Sequence, residues 1–510
     1  MHSVATDDRV LSTLAQADHD RFIPWLFWGF GLAQIIPIWM GQHFPSEDGM
    51  AHLYWVDVFR QLGRAGSVWE PFYARNVQWN TPNLAYFAIH YGLSAVFEVH
   101  LALQILLTLL ILCWLASIRY LSVCLSGSLG LGAMASLLLI HSSWLYGGFF
   151  SLLVGIPILL VSLGLLARIF AIQAPSQGAR PFILLALLGV GSYYSHFVTA
   201  CLFIVLALAF MAFFARRSPP RAGFLVLALL PVGLLCLSYL LVGSSGLGGP
   251  SWEPAFESVA KFVGQAYFRG FGAPVPWFWL ALAVFEAILL VLCFSVLNGV
   301  RAAGLSPHRQ VLVALALFLT VLYFVAPDRV GQGGNLKARV QFAMWAWLLP
   351  ALPFRLSQRA QRVTLAAICL VLAWQVADFA GRARRFNQAY TAVLARAGNL
   401  PEGATLRSVL EYDDARFEGS FIRVLAHFAE DLGYHRRGVV VAGYHPARAF
   451  YWIRPRPAAD STPDYRLTIL PDHPSGLTLM IDSTPGTRSA ANPRRSPDNG
   501  ETDRMARREP

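Results

Sequence analysis

From residue 22 to about 380 the chain is a succession of apolar runs separated by short polar connections. The runs fall at 22–40, 101–117, 122–141, 147–168, 181–195, 197–214, 222–242, 277–297, 311–326, 340–354 and 363–380. Each approaches the roughly 20 residues a helix needs to cross a hydrocarbon core, and the shorter ones predict tilted or broken helices. Between Gly49 and Arg64 the pattern changes. Leu53, Val56, Phe59 and Leu62 recur at helical spacing, with Asp57, Arg60, Gln61 and Arg64 elsewhere on the wheel, which predicts an amphipathic helix lying in the membrane surface. Residues 382–470 mix charges and suggest a helix over Phe421–Leu432 and a strand over Val439–Ala442. From Pro471 the composition turns to Ser, Pro, Asn, Asp and Arg, which cannot bury a core and predicts disorder. The expected fold class is an all-α polytopic membrane protein of about eleven transmembrane helices. Its parts are a polar N-terminal segment (1–21), a membrane domain (22–381), a small external α/β cap (382–470) and a disordered tail (471–510).

Charge then orients the chain. Of the 510 residues, 56% are hydrophobic and 14% charged, which excludes an ordinary soluble globule. The net charge of +11 does not point to nucleic acid, because much of it sits in short connections. Arg168 with Arg180, then Arg216, Arg217 and Arg221, then Arg301 and Arg309, then Arg355, Arg359 and Arg362 mark the cytoplasmic loops. Residues 181–214 become a hairpin with Tyr193, Tyr194, Ser195 and His196 at its outer tip. Loops 41–81, 243–276 and 327–339 fall outside, as does everything after Gly381, and the N-terminus lies in the cytoplasm. Residues 82–97 read as a re-entrant or interfacial half-helix, since a crossing there would invert every later loop. No small-residue cleavage site follows the first run, so it reads as an uncleaved span of the inner (cytoplasmic) membrane. The six cysteines all lie in apolar runs, which offers no disulfide framework and no CxxC metal site.

Three constellations could carry chemistry. Glu47 and Asp48 stand side by side where the first span ends, and His52 follows Asp48 by four residues, on one side of a helical turn. Asp48 can cap the surface helix, act as a base or metal ligand, or do both. The second is "APDRVGQGGNLKAR" (326–339), where Arg329, Lys337 and Arg339 crowd a glycine-rich outer loop. Glycines admit close backbone approach and cations suit phosphate oxygens. Snorkelling to lipid headgroups is the plainer reading. His196, behind its two tyrosines, is either an interfacial hydrogen-bonding residue or part of a site. Glu286 is the carboxylate deepest in an apolar run, either functional, as such positions are by default in membranes, or a protonated glutamate bonded to a neighbouring helix. The run "GSSGLGGPSWEPAF" (243–256) matches no phosphate-binding motif.

The acidic first loop, the surface helix, "VWEPFY" and then "TPNLAYFAIHYGL" together resemble the opening of integral-membrane glycosyltransferases of the GT-C superfamily. That superfamily includes the protein O-mannosyltransferases and the lipid A aminoarabinose transferases. "YGGFFSLLVGIPILLVSLGLLAR" (146–168) and "LKARVQFAMWAWLLP" (336–350) are similar to bacterial members, so the likeness spans roughly residues 20–380. The resemblance implies a first-loop acid acting as general base on the acceptor, Asp48 or else Glu47. It implies outer cations, Lys337 and Arg339, on the phosphate of a polyprenyl-phosphate sugar donor. The 142–147 turn lacks the acidic residue that relatives with a metal often have, so no metal ligands are assigned, and a divalent metal has no clear motif. The expected function is sugar transfer from that donor to a lipid, glycan or protein acceptor on the external face. The competing class is a non-enzymatic transporter or flippase of lipid-linked saccharides, which calls for midplane charges and repeated halves. No internal repeat is visible.

Overall fold

The computed structural model describes residues 22–171, 178–243, 249–264, 276–303, 305–330, 334–352, 354, 356–408, 423–440, 453–455, 463–472 and 476–483. Expectations placed on residues 1–21, on 244–248, on Gly331 and Gly333, on Arg355, on Phe421 and Ile422, on Val441 and Ala442, and on 484–510 lie outside these.

The helices are α1 (Phe22–Trp39), α2 (Gly49–Gln61), α3 (Ala85–Leu93), α4 (Val99–Ser126), α5 (Leu131–Ser136), α6 (Ser143–Tyr146), α7 (Phe150–Ile169), α8 (Arg180–Ser195), α9 (Phe197–Phe214), α10 (Pro219–Gly243), α11 (Ala255–Val263), α12 (Pro276–Ala303), α13 (Pro307–Val325), α14 (Leu336–Ala351), α15 (Gln358–Arg396) and α16 (Phe428–Arg436). Eight of them (α1, α4, α7, α9, α10, α12, α13 and α15) are long and apolar enough to cross a membrane, the make-up of a multi-pass membrane protein. The runs at 181–195 and 340–354 form helices of only 16 residues each. The run expected to break near residue 118 does not. Nothing between Val99 and Ser126 is Gly or Pro, so α4 continues for 28 residues until Gly127, whose φ of +77° ends it in the left-handed conformation. The chain then returns along the bundle in pieces: α5, a 3₁₀ turn at Leu137–Leu139, and α6. At nine residues, α3 rises only about 14 Å, less than half a hydrocarbon core.

Helix ends sort to two ends of the bundle. At one, Arg309 donates to the Leu125 carbonyl (3.1 Å) and Arg221 to that of Ile169 (3.0 Å). A cavity of about 260 Å³ lies there, lined by Ser126, Leu129, Gly132, Arg309, Pro350 and Gln361 among others. At the other end the α8–α9 tip meets the loop before α3. Tyr194 donates to the Trp79 carbonyl (2.9 Å), and the Phe197 amide donates to Asn83 Oδ1 (3.2 Å).

That second end carries the C-terminal region. Strands β1 (Tyr73–Arg75), β2 (Thr405–Ser408), β3 (Val439–Val440), β4 (Ile453–Pro455), β5 (Tyr465–Asp472) and β6 (Gly476–Ser483) form two sheets. The larger has the order β3-β2-β5-β6, with β2 parallel to both neighbours and β5–β6 an antiparallel hairpin pairing Tyr465 with Ser483. β6 therefore occupies part of the stretch expected to be disordered. Its alternation of Leu477, Leu479 and Ile481 with Thr478, Met480 and Asp482 is a strand period that composition conceals. β1 pairs antiparallel with β4 and ties the first loop to this region.

The helix expected to lie wet on one face is buried almost all round. Met50, Leu53, Tyr54, Trp55, Val56, Val58 and Phe59 of α2 are all buried, with α16, α3 and α4 packed around them. Aromatic residues of α2 and of the loop after it face backbone as well as core. Tyr54 and Trp69 both donate to the Gly438 carbonyl (3.2 Å each), and the Val440 amide donates to the Tyr54 hydroxyl (3.1 Å). Bonds of this kind contribute about 0.5–1.5 kcal/mol each. They fix α16 against the first loop.

Candidate functional site

Asp48 occupies the cap position of α2, yet its side chain makes no capping hydrogen bond. The segment before it docks on the turn after α6. The Glu47 amide donates to the Tyr146 carbonyl (2.8 Å) and the Asp48 amide to that of Gly147 (3.3 Å). Gly148 has φ +80°, and a Cβ there would stand 2.7 Å from the Asp48 Cβ, so only glycine permits this approach. His52 donates Nε2–H to the Gly148 carbonyl (3.1 Å), its ring against Tyr86 and Phe150. Burial, against the pull of Asp48, lowers its pKa. His52 thus fastens the turn that Asp48 leans on.

The Asp48 carboxylate turns instead to α16. Its Oδ1 lies 3.3 Å from His427 Nε2, and His427 Nδ1 lies 3.2 Å from Glu430 Oε1. One imidazole therefore bridges two carboxylates. Burial alone would lower the His427 pKa, but Glu430 and then Asp48 reverse this and push it up to about 10. At neutral pH both ring nitrogens carry protons. Glu47 is engaged elsewhere: Arg423 grips its carboxylate with the guanidinium and with its backbone amide (3.3 Å to Oε2). Burial, against Arg423, raises the Glu47 carboxyl above its ordinary range.

The expected cations separate. Lys337 is buried (3% exposed) and donates to Ser258 Oγ of α11 at 2.8 Å, so it does not snorkel to water. Arg339 lays its guanidinium over the rings of Phe149 (5.0 Å) and Trp144 (6.0 Å), with Nη1 3.2 Å from His196 Nε2. His196 caps α9 by accepting the Val198 amide at Nδ1 (3.1 Å). Arg329 is exposed, and its backbone pairs with Ser251 (3.0 and 3.2 Å). Asp48 and Arg339 thus approach the same 144–149 turn, one at Gly147–Gly148 and the other at Trp144 and Phe149. Lys337 faces α11, and Arg329 the surface. Glu286 is half-buried in α12, its Oε1 without a hydrogen-bond partner among the described residues.

Sequence reasoning missed two things here. One is the pair His427 and Glu430, which lies almost 380 residues from Asp48 and carries no local motif. The other is a second cluster beside it. His43 in the loop after α1, His100 at the start of α4, and Asp431 and His435 on α16 bring their ligating atoms within 4.8 Å of one another. Asn387 of α15 positions His43, accepting its amide (2.7 Å) and donating to its carbonyl (2.8 Å). The Asp431–His435 spacing of four was the only signal available in the sequence. No protein-family model matches the chain, and no curated protein matches it either.

Proposed function

We propose that the chain is a polytopic membrane glycosyltransferase, moving a sugar from a polyprenyl-phosphate carrier to an acceptor at the α16 end of the bundle. In this reading the broken 131–149 stretch, α8 and α14 join the eight long helices as crossings, and the α16 end faces outward. The observation that carries it is the Asp48 carboxylate, released from its capping duty and held 3.3 Å from His427 Nε2 instead. A carboxylate so fixed is suited to accept a proton from an acceptor hydroxyl. As the acceptor oxygen bonds to the anomeric carbon, the bond from that carbon to the phosphate oxygen breaks. Polyprenyl phosphate leaves with the electron pair, and the acceptor's proton ends on Asp48. Arg339, across the same turn, stabilises the negative charge of the departing phosphate, while Lys337 on the same helix start adds charge from farther off. His427, braced by Glu430, orients Asp48. A displacement with inversion needs no second nucleophilic carboxylate.

The test is Asp48→Asn in proteoliposomes supplied with labelled polyprenyl-phosphate sugars and a membrane extract as acceptor source. Transfer should fall by on the order of a hundredfold or more, the usual worth of a general base. The melting temperature should stay near that of the unaltered protein. Turnover within a few-fold of normal sinks the assignment of Asp48 as the base.

A further inference from the structure

The second cluster is built unlike any ordinary polar contact. Asp431 is wholly buried, and three imidazoles crowd it: His100 Nε2 is 3.3 Å from Oδ1, while His43 Nδ1 and His435 Nε2 are 3.6 and 3.7 Å from Oδ2. Although His100 and Tyr390 both interact with Asp431, neither Asp431 oxygen, nor His43 Nδ1 nor His100 Nε2, has a well-aligned hydrogen-bond partner among the described residues. Buried polar atoms are almost always satisfied, and leaving a buried carboxylate unsatisfied is costly. Three imidazole nitrogens and a carboxylate oxygen converging within 4.8 Å of one another form a set of ligand atoms that a cation can occupy.

We propose that His43, His100, Asp431 and His435 form a closed divalent-metal site, with zinc as its ion, that clamps α16 to the membrane domain. Imidazole, a borderline ligand, and carboxylate are both ligands that zinc takes, and a set dominated by imidazole suits it. Zinc–ligand bonds of about 2.0–2.2 Å place the corners of a tetrahedron about 3.3–3.6 Å apart. The separations to the two Asp431 oxygens stand near that edge, and the full set of ligand atoms, within 4.8 Å, would draw inward around an ion. Four protein ligands, three of them buried, leave no open coordination position, which marks a structural site rather than a catalytic one. The ligands come from three separate parts of the chain: the loop after α1, the start of α4, and α16. An ion there would fix α16, and with it His427 and Glu430, in register with Asp48. This role does not depend on which reaction the chain performs.

The experiment uses the full-length protein purified in detergent without a metal-affinity tag. Elemental analysis should find a single zinc ion per chain, retained through dialysis against a mild chelator. A strong chelator should strip it and lower the melting temperature, and added zinc should restore both. Asp431→Asn and His100→Gln should each bring zinc content down to background. In the cobalt-substituted protein, the intense visible bands of four-coordinate cobalt should appear and be lost in the same variants. Should those variants fold poorly, stripping and reloading the unaltered protein decides alone. Protein without bound metal, whose melting is indifferent to chelator and to added zinc, overturns the proposal and leaves an ion-pair cluster. Zinc retained in the Asp431→Asn, His100→Gln double variant overturns it as well, and a single iron or manganese ion in its place overturns the choice of zinc.

Discussion

On one side α16 and its cap present His427 and Glu430 to Asp48; on another α16 presents Asp431 and His435 to His43 and His100. The residue types are the same, and Glu430 and Asp431 are neighbours in sequence. The difference lies in number and access. Around Asp48 one imidazole serves two carboxylates, each ring nitrogen facing an oxygen, and the Asp48 and His427 side chains keep 19% and 15% exposure. Around Asp431 three imidazoles crowd one fully buried carboxylate, and none is well aligned for a hydrogen bond to it. The first arrangement is internally satisfied and reachable, as proton transfer requires. The second centres on a carboxylate with no exposure, is open only at His435, and would be completed by the proposed cation. Histidine and carboxylate chemistry is set here by stoichiometry and burial, not by residue type.

The sharpest way to break this comparison is to remove one carboxylate from each side. Asp431→Asn should destabilise the protein by about 3–5 kcal/mol, as expected when one partner of a buried charged set is removed. Asp48→Asn should cost far less stability and far more turnover. Thermal melting and transfer rates for both variants make the check. If both lose stability alike, or both lose turnover with unchanged melting, the two sides of α16 are not distinct.

The next effect belongs to pH. The His427 pKa is raised from 6.5 to about 10 by Glu430 and Asp48 against burial, with His52 the other titratable group close by. Its contribution to stability is therefore complete below about pH 6.5 and is lost as pH climbs through about 10. The loss should be on the order of a few kcal/mol across that window. In His427→Gln the corresponding slope of melting temperature against pH should flatten. Parallel curves for the two proteins would show that the imidazole is not charged between its carboxylates.

How much of this was legible beforehand follows from range. Long apolar runs reveal membrane helices because each is a local property, and Asp48 stood out because it closes the first of them. The break expected after residue 117 does not occur because the intervening residues, Arg119 and Tyr120 among them, are compatible with a helix, whereas α4 ends at Gly127, which adopts positive φ. The buried state of α2 was hidden for another reason. Its charged positions suggested a wet face, but α16 and β3, more than 370 residues later, cover it. His43, His100 and the α16 pair are likewise joined only by tertiary packing. Nothing periodic links them.

Arg339 sharpens the first half of the comparison, the claim that its side of the bundle end handles a phosphate. Its flat guanidinium lies over Phe149 and Trp144 beside His196, a geometry that an ammonium does not reproduce. Arg339→Lys should weaken binding of a polyprenyl-phosphate sugar in nanodiscs by roughly 1–3 kcal/mol, the range for hydrogen bonds to charged groups. Equal affinities would return Arg339 to a packing role and remove the phosphate site from the proposed reaction.

The smallest effect concerns Glu47, which shares the first loop with Asp48 and was the other candidate base. Its carboxylate is gripped by Arg423, whose side chain is 34% exposed, so the pair is a partly solvated ion bridge at the rim of the site. Pairs of this type are worth about 0.2–1 kcal/mol. Glu47→Gln keeps the shape and one acceptor oxygen for the Arg423 amide while removing the charge. Stability should therefore drop by no more than that, and turnover should stay within a few-fold of the unaltered protein. The measurement is a transfer assay run beside Asp48→Asn under identical donor supply. A hundredfold loss in Glu47→Gln with normal turnover in Asp48→Asn would exchange the two roles. It would also recast the Asp48–His427–Glu430 chain as the structural element and the Arg423 pair as the reactive one. Because the two carboxylates are adjacent in the chain but bonded to different partners, only this paired comparison separates them.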